Sequence, residues 1–222
     1  MEIKSISFDK NSSKLKSYKE IGKLYYIGDI NLINGKCVAV IGRRETTEYY
    51  EKIAFQVGKV LARNGYVVMN GLARGCDKSA LMGALSAGGK VLAVLPCGLD
   101  KIYPASNSEL AKQIVRNGGC LVSQYPVGVR PAKYRFLERD RIQVLLCNRV
   151  FVIDSGIDGG TMYTAKTAIK YNRPLECFAM NDRVIPEGNR YLMEKYGLNG
   201  VRNNEDLLRF ASYEEPVQLS FV

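Results

Sequence analysis

Cys37-Val38-Ala39-Val40-Ile41-Gly42-Arg43-Arg44 decides the fold of this chain. An unbroken apolar run rich in β-branched residues makes a strand buried on both faces, and such strands belong to parallel sheets. The run stops at a glycine and two arginines. The pattern recurs in Tyr66-Val67-Val68-Met69, which leads into Asn70-Gly71-Leu72-Ala73-Arg74-Gly75-Cys76-Asp77. A buried strand ending in Gly and Arg sets bare N–H groups and a guanidinium at the carboxyl edge of a sheet. That edge is where open α/β sheets bind ligands. Gly42 and Gly71 let backbone approach an anion closely, and Arg43, Arg44 and Arg74 offer the planar fork that grips phosphate. Two such turns point to a phosphate-rich ligand. Plainer readings stand beside this one. Arg43 and Arg44 can cap the sheet edge or pair with Glu45, and Arg74 with Asp77 can be an ion pair that fixes the turn.

Working outward, strands and helices alternate. Leu24-Tyr25-Tyr26-Ile27 precedes the first long strand. Tyr49 to Asn64 has apolar residues at helical spacing and a stop at Asn64-Gly65. The spacing predicts further helices over 78–87, 107–117, 136–146 and 161–171, and further strands over 91–95, 120–123, 149–153 and 175–179. Short helices are expected near 189–196 and 204–211. Alternation with short connections predicts an α/β fold: a Rossmann-like, mostly parallel sheet with helices on both faces. Residues 1–23 read as a polar lead with a loop at Lys10–Lys14, 24–211 as the core, and 212–222 as a tail.

Charge narrows the partner. The 222 residues carry 32 Lys and Arg against 22 Asp and Glu, a net +10 that favours a polyanion. Histidine is absent, so no triad built on it can form. The six cysteines are scattered without a C-x-x-C pair, as reduced buried thiols are. No metal site and no cofactor are expected, and no G-x-G-x-x-G follows the first strand. Neither a signal peptide nor a membrane span is apparent, so the expected location is cytoplasmic with no membrane partner. Arg130 to Arg141 interleaves Lys133, Arg135, Arg139 and Arg141 with Tyr134 and Phe136, a pairing of cations with aromatic platforms that single-strand binders use. Phe136 can also be a core residue. Asp158-Gly159-Gly160-Thr161 opens a helix as an anion nest.

These motifs, in this order, resemble the DNA-processing protein DprA (Smf) family. Val40-Ile41-Gly42-Arg43-Arg44 resembles its Gly-Ser-Arg turn, with Arg43 for Ser. Asn70 to Asp77 resembles its Ser-Gly-x-Ala-Arg-Gly-Ile-Asp segment. Leu95-Pro96-Cys97-Gly98-Leu99-Asp100-Lys101-Ile102-Tyr103-Pro104, with Asn107 behind it, resembles its next loop. Ser123-Gln124-Tyr125-Pro126 and Phe136 to Ile142 follow, with Gln124 for Glu and Asp140 for Asn; Gly156 to Thr164 and Gly188 to Asp206 complete the series. The resemblance spans about Leu24 to Leu208 and covers the Rossmann-like core, without the family's flanking helical and winged-helix modules. It implies non-catalytic binding of single-stranded DNA by a homodimer, in natural transformation and loading of the RecA recombinase. By position it assigns nucleic-acid contacts to Gly42, Arg43, Arg44, Gly71, Arg74, Lys133, Phe136, Arg139, Arg141, Gly159, Gly160 and Thr161.

Two other functions remain open from sequence. The Gly-Gly-Thr turn also resembles that of phosphoribohydrolases that cleave nucleoside monophosphates, yet Thr164, Ala165 and Lys166 follow it where those enzymes place a glutamate. A nucleotide-sensing module is the other.

Overall fold

The computed structural model describes residues 2–8, 20–180 and 185–212. Its strands are β1 (Lys4–Ser7), β2 (Lys23–Gly28), β3 (Cys37–Ile41), β4 (Val67–Asn70), β5 (Val91–Val94), β6 (Cys120–Ser123), β7 (Arg149–Val152) and β8 (Leu175–Cys177). They form one sheet in the order β1-β2-β6-β5-β4-β3-β7-β8. From β6 to β8 every neighbouring pair is parallel, and β2 and β1 add antiparallel at one edge. The helices are α1 (Glu48–Arg63), α2 (Cys76–Ser86), α3 (Ser108–Arg116), α4 (Lys133–Leu146), α5 (Gly160–Lys170), α6 (Glu187–Tyr196) and α7 (Asn204–Ser212). The expected Rossmann-like α/β fold is the observed one.

Alternate residues of each central strand feed two cores. Val38 and Val40 face Ala54, Val57 and Leu61 of α1, with α2, α3 and α7 on the same side. Cys37, Ala39 and Ile41 face the other side, closed by α4, α5 and α6. Both faces are therefore covered, which is why the strands read as continuous apolar runs. The chain winds outward from β3 through β4, β5 and β6, then returns across β3 to β7. That reversal opens a crevice at the carboxyl ends of β3 and β7, where ligands of such sheets bind.

Three differences from the sequence reading have local causes. β1 lies inside the stretch read as a polar lead. It is an edge strand, largely exposed, so no apolar run announces it. Helix α4 begins at Lys133 rather than Phe136, because its first turn is polar and packs nothing that periodicity would register. Helix α2 begins at Cys76, its first residues buried against the sheet. The loop expected at Lys10–Lys14 and the tail beyond Ser212 lie outside the described residues.

Helices α1 and α2 meet backbone to backbone. A Cβ on Gly58 would land on the Ala80 carbonyl, and one on Gly83 on the Phe55 carbonyl. Alanine is the better helix former by about 0.5–1 kcal/mol in a free helix interior. Overpacking here reverses that sign. Gly58→Ala and Gly83→Ala are each expected to lower the unfolding free energy by about 1–3 kcal/mol, read from urea unfolding. A neutral or stabilising result would mean the two helices are not held this close.

Candidate functional site

The loops after β3, β4 and β7 build the crevice together with α4 and the starts of α5 and α6. After β3, Gly42 is buried against Cys76 at the start of α2. The Arg43 N–H donates to the Asp154 carbonyl at 3.0 Å, and the Cys76 N–H donates to the Arg43 carbonyl at 3.2 Å. After β4, Asn70 donates to the carbonyls of Val40 (3.1 Å) and Asp77 (2.9 Å) and accepts from the Leu72 N–H at 3.0 Å. Asp77 accepts the N–H groups of Gly71 at 3.1 Å and Ala73 at 3.4 Å. Gly75 sits at φ +69°, where a Cβ would strike the carbonyls of Arg43 and Arg44, so the two Gly-Arg loops are locked together.

The loops enclose a cleft of about 950 Å³. Gly42, Arg43, Arg44, Lys133, Phe136, Gly159, Gly160 and Thr161, eight of the residues singled out in the sequence, all line it. The Arg44 guanidinium lies 4.9 Å from the centre of the Phe136 ring, and no described carboxylate pairs with it. Lys133 is exposed at the first residue of α4. Neither α4 nor α5 has a side-chain cap at its N-terminus. Their first N–H groups open at Lys133 and at Gly159–Thr161 on the same cleft, each with the partial positive charge of a helix end.

The remaining candidate residues have other partners or positions. Arg139 is a floor residue. It is 5% exposed, and its guanidinium donates to Asp140 at 2.8 Å, to the Val94 carbonyl at 3.0 Å and to the Gly71 carbonyl. Three of its five N–H donors, on Nε and Nη1, are thereby given to protein acceptors, and the side chain lines the cleft from below. Arg139 rests where a Cβ on Gly71 would be, so glycine is needed there to seat the guanidinium. Arg141 points elsewhere, to Glu20 at 2.6 Å and the Tyr171 hydroxyl at 3.0 Å. Arg43 reaches the cleft, but its charge is answered by Asp154 and Glu187, each at 3.3 Å. Arg74 forms no ion pair with Asp77, since that carboxylate is spent on backbone N–H groups; Arg74 is exposed and borders a smaller niche beside the cleft.

Sequence reasoning named Glu45, Asp77, Asp140 and Asp158 without placing them together in the cleft, and did not single out Glu187. Glu45, Asp77, Asp140, Asp158 and Glu187 line the cleft with the cations. Asp77 and Asp140 lie buried under it around Arg139, and Glu187 is held by Arg43. Besides the Arg43–Glu187 pair, what faces solvent is Arg44 and Lys133 against Glu45 and Asp158. Side-chain charge is thus near balance, and attraction for an anion comes from position: two free cations and two helix ends converge. Asp140 follows Arg139 directly, so that pair was visible in sequence. Glu187 is contributed by a distant helix start with no local signal.

The chain matches the family model described as DNA recombination-mediator protein A over residues 4–212. It is 35% identical over 189 residues to protein Smf of Escherichia coli, covering 84% of this chain and 50% of that protein. A structure concerned with the single-stranded DNA binding mode of DNA processing protein A from Helicobacter pylori superposes with TM-score 0.82 at 29% identity, covering 94% of each chain. DNA processing protein A (DprA) from Streptococcus pneumoniae superposes with TM-score 0.84 at 30% identity, covering 96% of this chain and 75% of that one. The chain spans about half the length of the curated relatives it matches.

Burial raises the Asp77 carboxyl from 3.8 to about 6, against the opposing pull of Arg139 and the two backbone N–H groups. Burial raises Asp140 as well, again opposed by Arg139. A carboxyl raised in the fold and ordinary in the unfolded chain binds more proton when folded. Its contribution is fully present below the unfolded pKa and is lost as pH rises through about 6. The stability of the parent relative to Asp77→Asn is therefore expected to fall between about pH 4 and pH 7, measured by urea unfolding of both proteins across that range. A pH-independent difference would mean Asp77 is ionised throughout.

Proposed function

Because the chain belongs to the DNA recombination-mediator protein A family, the DprA/Smf proteins, we propose that it binds single-stranded DNA in the cleft above β3 and β7, as a binding protein and not a catalyst. The observation that carries this is the Arg44–Phe136 stack on the cleft rim, with Lys133 and two uncapped helix N-termini beside it. Phosphates find Arg44, Lys133 and the N–H groups at Gly159–Thr161. A base finds the flat Arg44–Phe136 platform, and such stacking contributes about 1–3 kcal/mol per base with little dependence on sequence. All contacts made this way are to backbone and ring face, so the reading includes weak base preference.

In the same reading the protein acts as a homodimer and hands the strand to RecA during natural transformation; these parts rest on the family alone. The six thiols are free and buried, in keeping with a reducing cytoplasm. Among the described residues no helix is long and apolar enough to cross a membrane.

Titration with labelled oligothymidylate at several salt concentrations tests the reading. Each neutralised phosphate on a single strand contributes about 0.7 to the salt slope. Arg44→Ala is expected to weaken binding about ten-fold or more and to flatten the slope by about 0.7. Lys133→Ala with Phe136→Ala weakens binding further while leaving the unfolding transition in place. Parent-like binding by Arg44→Ala would remove the cleft as the site. Release of free base from nucleoside monophosphates would make the protein a hydrolase instead.

A further inference from the structure

Beyond the Arg44–Phe136 stack, on the side away from β7, lies a small niche between the loops that follow β4 and β5. Its rim carries Arg74 and Tyr103, and its sides are Pro96 and Pro104. Arg44 and Phe136 belong to both spaces, so the stack is a shared wall. The Tyr103 ring stands edge-on to Phe136, with centroids 5.4 Å apart and planes at 61°, and Tyr103 is 40% exposed. Arg74 is exposed and has no described hydrogen-bond or ion-pair partner.

An exposed ring and an unanswered guanidinium can be surface accidents. Here the two loops that hold them are tied together. Asn107 is 1% exposed, and its amide donates to the carbonyls of Leu72 at 2.9 Å and Ala73 at 3.1 Å, next to Arg74. Its own N–H donates to the Pro104 carbonyl at 3.0 Å, next to Tyr103. Asn107 thus ties the backbone next to Arg74 to the backbone next to Tyr103, and the Tyr103 ring in turn stands against Phe136. The niche holds about 30 Å³, space for a water and not for a base. A base here lies across the ring of Tyr103 rather than inside a hole, and Arg74 meets the phosphate that follows.

We propose that Tyr103 and Arg74 form a second nucleotide subsite, which receives the next base and phosphate of a single strand after it crosses the Arg44–Phe136 stack. The proposal rests on the reading of the cleft as a single-strand site and gives that site a direction: from the β7 side, over β3, to the ends of β4 and β5. Neighbouring strands lie about 4.8 Å apart, so this path is roughly 14 Å long.

Length-dependent binding tests it. Anisotropy is measured for a short oligothymidylate that fills only the cleft and for a longer one, with the parent, Tyr103→Ala, Tyr103→Phe, Arg74→Ala and Arg44→Ala. Tyr103→Ala and Arg74→Ala are expected to bind the short oligomer like the parent and the long one about five-fold or more weakly. Tyr103→Phe keeps the ring and binds both like the parent. Arg44→Ala weakens both. Equal loss at both lengths in Tyr103→Ala and Arg74→Ala would make these residues part of the loop scaffold and overturn the subsite. No loss at either length, with Arg44→Ala still weakened, would overturn the subsite and leave the cleft standing. Parent-like binding by Arg44→Ala would overturn both. Arg74→Ala removes only an exposed side chain, so the test survives if Tyr103→Ala does not fold.

Discussion

The guanidinium of Arg139 is the contact on which the ligand-binding end of this sheet depends. It comes from α4, passes under the cleft and donates to the carbonyl that follows β4 and to the last carbonyl of β5, while Asp140 holds it from the side. Strand ends in a parallel sheet leave carbonyls without ladder partners, and buried carbonyls without partners are costly. Arg139 meets two of them with one rigid fork. It also carries a charge into the interior, which is tolerable only because Asp140 and Asp77 lie beside it. The cost reappears as two carboxyls pushed toward neutrality.

Everything on the rim is positioned from this floor. Arg139 and Lys133 share α4, so fixing Arg139 fixes where the helix start opens. Gly71 gives way to Arg139, Asp77 gathers the N–H groups of the loop that begins there, and Gly75 lets that loop seat against Arg43 and Arg44. Arg44 is then free to lie on Phe136, one turn before Arg139 on the same helix. A binding surface held this way loses little freedom when a ligand arrives, which matters most for a flexible single strand that must itself be ordered.

The sheet was legible in sequence because both of its faces are covered, so each central strand is an apolar run with sharp ends. β1 was not, because an exposed edge strand buries too little to leave a pattern. The site was legible as a place and only partly as a set of side chains. Arg43, Arg44, Arg74, Arg139 and Arg141 are one residue type with different fates: ion-paired, free on the cleft rim, free beside the niche, buried, and turned to Glu20. Nothing local separates them, since what decides is whether a carbonyl or carboxylate from a distant segment comes within reach. Gly42 and Gly71 teach the same point. Both were read as making room for an anion, and both make room for a neighbouring side chain.

Net charge is a weaker guide here than it first looks. The chain's +10 describes the whole surface, whereas the cleft places carboxylates among its cations. A polyanion drawn in by the surface field would find no deep positive well. It would find a few donors at fixed positions: Arg44, Lys133 and the N–H groups of two helix starts. Such a site discriminates by spacing. Phosphates joined at the interval of an extended strand can meet several donors at once, while a lone phosphate meets one and competes poorly with water and salt. In the proposed reading, a balanced cleft of this kind would favour a continuous strand over free nucleotides, with the same buried carboxylates that hold Arg139 in place.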